Sequence, residues 1–329
     1  MVKLKDIARE TGLTISTVSK ALNHSPEIST MTTELVWEKA REMGYFSRRV
    51  VDRRTKLVGV LLPEVRSHYY AEMMHTLSRE LQQEGYTMAT ILTNQYDEDV
   101  QPYLSRLPQY DMDGLIVCCD YGFTAENYRA LATGSVPTVL ITGGIAPCFL
   151  DTVSIGGGVR EMIDHLVTLG HRKIGYLGEE HTEGLYHSVR GLLAEHGIKP
   201  VSEWMKQGRE RFEQGGYLRA MELLREKELP TAVVTGYDQM AYGAMRAFAE
   251  HGIRVPEDIS VVGHACALPD ASCPVSLTTI MKPVDQMGVV AVRMLKDAIE
   301  NPGTHIIQNV TLQCRLVVRN STCPPNKER

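Results

Sequence analysis

Residues 4–23 read LKDIARETGLTISTVSKALN, and the rest of the chain is best understood outward from them. Ile7 and Ala8 fall on one side of a short amphipathic helix, and Gly12, in the turn Glu10-Thr11-Gly12-Leu13, suits a left-handed backbone. Thr14 is a good N-cap for a second helix, whose Val18, Ala21 and Leu22 recur at helical spacing and turn inward. Ile15, Ser16 and Lys20 are then left pointing outward, flanked by Thr14, Thr17, Ser19 and Asn23. Two short helices across a glycine turn, the second with a polar outer face, are the layout of a DNA-reading helix-turn-helix.

Working outward, Ser29 can cap a third helix running through about residue 43, with Leu35, Val36, Trp37 and Ala40 covering the first two. Trp37 reads as core rather than contact. Gly44 fits a C-cap and Tyr45 closes a headpiece of residues 1–45. Residues 46–56 form a linker carrying Arg48, Arg49, Arg53, Arg54 and Lys56. Residues 1–56 hold 11 Lys and Arg against 7 Asp and Glu, while the remaining residues hold 24 against 33. The net charge of -5 therefore conceals a basic amino-terminal end, which is where a polyanion is expected to bind.

A chain of 329 residues can bury more than one core, so two or three folding units are expected. The opening MVKLKDIARE lacks the apolar stretch of an export signal, no later run has the length of a membrane span, and a cytoplasmic protein is expected. Cysteines 118, 119, 148, 266, 273, 314 and 323 are scattered without any C-x-x-C, so they read as reduced thiols rather than disulfides or zinc ligands. Neither a metal nor a cofactor is expected.

From residue 57 the pattern becomes buried strand alternating with helix. LVGVLL, a helix through residue 84, YTMATIL, a helix near 100–107, GLIVCC, a helix near 125–132 and PTVLIT make one series. A helix near 157–169, KIGYLG, helices near 185–196 and 215–225, TAVVT, a helix over 239–251 and ISVVG make a second. Apolar runs of this length between helical segments argue for parallel sheet covered on both faces. The fold expected is an all-α helix-turn-helix headpiece followed by an α/β core of two doubly wound parallel-sheet subdomains, similar to periplasmic sugar-binding proteins. IGGGV at 155–159 precedes a helix, but it lacks the G-x-G-x-x-G spacing and the ribose-binding acid of a nucleotide site. The histidines at 165, 171, 181 and 187 alternate with charges as surface residues do, and no catalytic Ser-His-Asp or Cys-His set stands out, so no enzyme is expected.

Several stretches together resemble one known family. LKDIA, GLTISTVSKALN, residues 29–45 ending in EMGY, VTLGHRKIGYLG, YDQMAYGAMRAFAEHGIRVPEDISVVG, SLTTI and LQCRLVVRNST are similar to LacI/GalR-family bacterial transcription repressors. The resemblance spans nearly the whole chain. It implies a homodimer binding double-stranded operator DNA, with a small-molecule effector, carbohydrate-derived in many relatives, controlling catabolic genes from an interlobe cleft. It implies a core over 57–322, with one lobe near 57–153 plus 284–311, the other near 154–283 plus 312–322, and a tail at 323–329. Dimer surfaces are expected around residues 71–81 and after Pro283. The family linker forms a hinge helix on operator, with a leucine wedged in the minor groove. This chain departs from that pattern: only 13 residues separate Tyr45 from Gly59, about four fewer than usual, and no leucine precedes Leu57. Arg48 and Arg49 are left as phosphate contacts and Val50 and Val51 as a smaller wedge.

Ligands of open parallel sheets sit beyond the carboxyl ends of the strands. Those ends offer Tyr69, Tyr70, Asn94, Asp120, Thr142, Tyr237, Asp238 and His264. Where sugar-binding relatives place an Asp, an Arg, an Asn and a second Asp, this chain has Ser154, Leu185, Tyr237 and Ala265. The charge-assisted anchors for vicinal diols are gone. A ligand with an apolar or aromatic face is expected instead of a plain sugar, with Asp120 or Asp238 as polar anchor unless Asp238 serves its own helix. A solute-binding module without DNA, a core that binds no small molecule, and a phosphoprotein co-repressor are the alternatives.

Overall fold

The computed structural model describes residues 2–22, 27–43, 45, 55–93, 100–118, 123–134, 136–143, 149–266 and 275–326. Asn23, Gly44, Arg48, Arg49, Val50, Val51, Asn94 and Asp120, singled out above, lie outside them, as does the side chain of Ala265.

The headpiece is α1 (Leu4–Thr11), α2 (Ile15–Leu22) and α3 (Thr30–Glu42). Gly12 ends α1 at φ 68°, a left-handed conformation that glycine adopts without steric cost. Thr14 Oγ1 accepts the Thr17 amide at 3.1 Å and Ser29 Oγ that of Thr32 at 3.2 Å, which starts α2 and α3 where the capping residues predict. Ile7, Ala8, Val18, Ala21, Val36 and Ala40 form a separate small core, and Trp37 Nε1 donates to the Ala21 carbonyl at 3.2 Å. Leu35 is a correction: it stands 45% exposed, because the buried stripe of α3 follows Val36 and Ala40 and leaves Leu35 one position off it.

The first lobe of the core runs β1 (Leu57–Leu62), α4 (His68–Gln83), β2 (Thr87–Leu92), α5 (Gln101–Leu104), β3 (Gly114–Cys118), α6 (Ala125–Ala132), β4 (Thr138–Thr142) and β5 (Asp151–Gly156). The second runs α7 (Val159–Thr168), β6 (Ile174–Leu177), α8 (Glu183–Glu195), β7 (Met205–Lys206), α9 (Phe212–Leu223), β8 (Ala232–Thr235), α10 (Asp238–Glu250), β9 (Ser260–Cys266) and β10 (Thr278–Met281). The chain then returns to the first lobe with α11 (Val284–Glu300) and β11 (Asn309–Gln313) and closes in the second with β12 (Arg315–Val317). The two six-stranded sheets are ordered β11-β5-β4-β3-β1-β2 and β12-β10-β9-β8-β6-β7. Among the described residues every pairing is parallel except β10 with β12. The crossings follow Gly156, Met281 and Gln313.

Some elements differ from expectation. The helix expected near 100–107 is a single α turn followed by a 3₁₀ turn at Leu107–Gln109, because Pro108 has no N–H to donate to the Leu104 carbonyl and continue the α ladder. β5 was not anticipated; its DTVSIG pairs parallel between β4 and β11 and so places Ser154 inside the first sheet. The histidines also need correcting. His171 is buried, its ring nitrogens 2.8 Å from Thr231 Oγ1 and from the Cys323 carbonyl oxygen, and His165 Nε2 lies 3.0 Å from Thr322 Oγ1. These two fasten the carboxyl-terminal segment to the second lobe. Burial lowers the pKa of both, so the neutral ring is the bonded form.

Candidate functional site

Two surfaces have the chemistry of binding sites. The first is the outer face of α2, where Thr14, Ile15, Ser16 and Lys20 are exposed, Thr17 and Ser19 half-buried, and Val18 and Ala21 turned into the headpiece core. Ile15 is 52% exposed and gives this face one apolar side chain among its polar ones. Lys20 pairs with Glu27, and both side chains are largely in solvent, so releasing the lysine to another acceptor costs little.

The second is the cleft between the carboxyl ends of the two sheets. Phe212, which no periodic or strand-end signal singled out, touches residues of both lobes there. It starts α9 with φ 58°, a left-handed conformation that is a genuine outlier for a bulky residue. Its amide donates to Tyr237 Oη at 2.8 Å and its ring meets that of Tyr237 edge-on at 5.9 Å. From the same lobe the Arg211 guanidinium lies 4.6 Å from the ring; from the first lobe Arg66 lies 5.0 Å from it. Both distances suit cation–π attraction.

The position of Phe212 is set by the contact of α9 with α10. A β-carbon added to Gly216 would fall 1.9 Å from the Met240 carbonyl oxygen, and one on Gly243 1.9 Å from that of Glu213. Only with glycine at both positions can the two backbones approach this closely, and the approach brings the start of α9 against Tyr237 at the start of α10. Burial pushes the Tyr237 phenol up to about 12, with the Glu179 carboxylate adding to the shift and the Phe212 amide opposing it. It is a neutral hydroxyl.

The other residues expected at the cleft divide. Tyr69 packs edge-on against Tyr70 at 5.0 Å, with Lys282 Nζ 4.6 Å from its ring. Tyr70 itself is buried in the first-lobe core, so it supports the wall rather than presenting a face. Thr142 is buried at the end of β4. Ser154 Oγ is bonded sideways to Thr311 Oγ1 at 2.9 Å. Leu185 packs against the second-lobe core. Asp238 accepts the Thr279 hydroxyl at 2.6 Å, joining α10 to β10, and Gly263 is the only residue that fits beside it, since a β-carbon there would fall 2.2 Å from Oδ1. Asp238 is thus a structural anchor. His264 is pushed down to about 3, first by burial and then by Lys282, and stays neutral.

Charge enters the cleft from residues the sequence did not mark. Glu64 follows β1 and is 7% exposed; Glu179 follows β6 and is 1% exposed. Arg211 lies between them, 4.0 Å from Glu64 Oε1 and 3.9 Å from Glu179 Oε1. Burial raises the Glu179 pKa, with the His181 amide and Arg211 opposing the shift. A cavity of about 340 Å³ lined by Glu72, Lys282, Asp285, Gln313 and Arg315 opens at the hinge, without touching Phe212. At IGGGV, Glu161 accepts the Gly158 amide and so occupies the amino end of α7, where a phosphate would otherwise sit.

A tri-helical reader joined to a two-lobed parallel-sheet core defines a class, and the comparisons agree on it. Residues 3–47 match the model of bacterial regulatory proteins, lacI family, and residues 163–322 match a periplasmic binding protein-like domain. The HTH-type transcriptional repressor PurR of Salmonella arizonae is 33% identical over 341 residues, covering 98% of this chain and 97% of its own. PurR of Erwinia tasmaniensis is 32% identical over 320 residues, 91% of each chain. The lac repressor dimer bound to operator and the anti-inducer ONPF has a TM-score of 0.72 at 25% identity, covering 98% of this chain and 99% of its own. The chain belongs to the lacI family of bacterial regulatory proteins.

Proposed function

We propose that this protein is a cytoplasmic, dimeric, sequence-specific repressor of transcription, with α2 in the major groove of an operator and a small molecule in the interlobe cleft setting operator affinity. The observation that carries it is the pairing, in one chain, of a separately cored basic headpiece with a two-lobed core closed around Phe212. Ile15, Ser16 and Lys20 read base edges, and Thr14, Thr17, Ser19 and Asn23 hold the helix to the backbone. Dimerisation through α4 and the segment after Pro283 gives two reading helices to a two-fold operator. The genes controlled belong to carbohydrate-related catabolism, although the ligand itself is flatter and less hydroxylated than a free sugar.

The test is selection of random duplex DNA on the full-length protein, followed by anisotropy titration of the enriched sequence. A two-fold symmetric site is expected, bound about a thousandfold or more tighter than scrambled DNA. Recovery of no shared sequence would overturn the reading.

A further inference from the structure

Glu64 is the most unusual group in the cleft. Its Oε2 accepts the amides of Arg66 and of Ser67, the latter at 2.9 Å, and this fixes the carboxylate over the end of β1. Its Oε1 is buried and accepts no hydrogen bond. Arg211 approaches to 4.0 Å, which gives attraction across the lobes but is too long for a hydrogen bond. Arg211 is also drawn toward Glu179 at 3.9 Å, so one guanidinium serves two buried carboxylates. A buried carboxylate oxygen without a donor is costly, and a ligand that brings one recovers that cost. A second constraint comes from Arg66, two residues after Glu64, and the Phe212 ring, which face each other 5.0 Å apart, one from each lobe. A flat π-system entering as the lobes part would have the guanidinium on one face and the ring on the other.

We propose that Glu64 selects the effector, taking a neutral, flat ring that bears an N–H donor, with the ring between Arg66 and Phe212 and the N–H on Glu64 Oε1. A cation is disfavoured by Arg66, and an anion by Glu64 and Glu179, whose shared arginine is already engaged. A polyol can donate to Glu64 but offers no flat face to the Arg66–Phe212 pair. The inference rests on reading the cleft as the effector seat.

The test uses the full-length protein and three probes: benzimidazole, its 1-methyl derivative, which lacks the N–H, and benzoate. Binding is followed by ligand-observed NMR and calorimetry at neutral pH. Benzimidazole should bind at least about tenfold more tightly than either of the others, since each tenfold is about the worth of one well-made hydrogen bond. In Glu64→Gln, which keeps an acceptor for the Arg66 and Ser67 amides, the preference over the methylated ring should shrink to about threefold or less. Phe212→Ala should weaken both rings equally and leave their ratio alone. The inference falls if the ratio survives Glu64→Gln, if benzoate binds best, or if no ring binds the wild type at about 10 mM, a level at which even a very weak site fills. Failure of the effector reading looks different: benzimidazole binds with the expected Glu64 dependence, yet operator affinity does not change when the site is saturated.

Discussion

The outer face of α2 and the cleft are the two candidate binding surfaces, and they differ in how far along the chain their parts come from. The outward set on α2 lies within ten positions, Thr14 to Asn23, and one capping residue and one apolar stripe orient all that is described of it. The cleft gathers Glu64 and Arg66 from one lobe and Glu179, Arg211, Phe212 and Tyr237 from the other, and holds them by backbone contacts between α9 and α10. A local surface should tolerate damage elsewhere in the chain. A surface assembled from distant segments should fail when the packing beneath it fails.

The sharpest break of that comparison is Gly243→Ala. The added carbon meets the Glu213 carbonyl at 1.9 Å, a backbone clash that no rotamer relieves, and a loss of about 3 kcal/mol or more is expected. Thermal unfolding followed by tyrosine fluorescence should show the second lobe melting early, while headpiece amide signals in NMR keep their native positions. Loss of both together would mean the headpiece core is not independent.

Lys20→Ala tests the other surface. A cost of about 1 to 3 kcal/mol is expected at one base pair of each half-site, with other operator variants unaffected. Equal weakening on every sequence would make Lys20 a phosphate contact. Replacing Arg48 and Arg49 by Ala should instead act on all sequences and lower the slope of log affinity against log salt by up to about two.

Smaller effects probe what supports each surface. Trp37→Phe removes the donor to the Ala21 carbonyl and should lower headpiece stability by about 1 kcal/mol, with cleft probes binding as before. His305 offers a pH test of the first lobe. Its two ring nitrogens lie 2.7 Å from Asp297 Oδ2 and Asp151 Oδ2, and both can donate only when the ring is charged. Burial opposes the charge, but the two carboxylates outweigh it and raise the His305 pKa. A group whose pKa rises on folding adds stability that is complete below its unfolded value and fades as pH climbs through the folded one. The stability gap between wild type and His305→Asn should therefore be widest near about pH 5.5 and narrow above neutrality. A gap that does not vary would assign His305 to packing alone.

The same contrast explains what could be seen in the sequence. Helix caps, the Gly12 turn and the strand runs depend on neighbours in the chain, so the headpiece and most of both sheets were legible. β5 was not, because DTVSIG is short and partly polar and is recognisable only beside β4 and β11. Strand-end reasoning led to Tyr70 and Asp238, which the packing turns to structural use. It missed Phe212 because β7, the strand before it, is two residues long and leaves no periodic signal. Glu179 was within reach, directly beyond KIGYLG, since an acid at a strand end invites the question of what it faces.

The three crossings between the lobes touch one another. Gly158, at φ 90°, sits where an added β-carbon would come 2.8 Å from Ile280 and 3.3 Å from Cys314, so the first crossing packs against the end of β10, where the second begins, and against the third. Three straps bundled at one pivot resist twisting and sliding, since either would shear all three, and they leave bending as the soft direction. Opening as a book opens on its spine is the motion such a pivot favours. On the proposed function, a ligand in the cleft would reach Leu57 and the headpiece chiefly as a change in that one angle, and ligand thickness would then count as much as ligand chemistry.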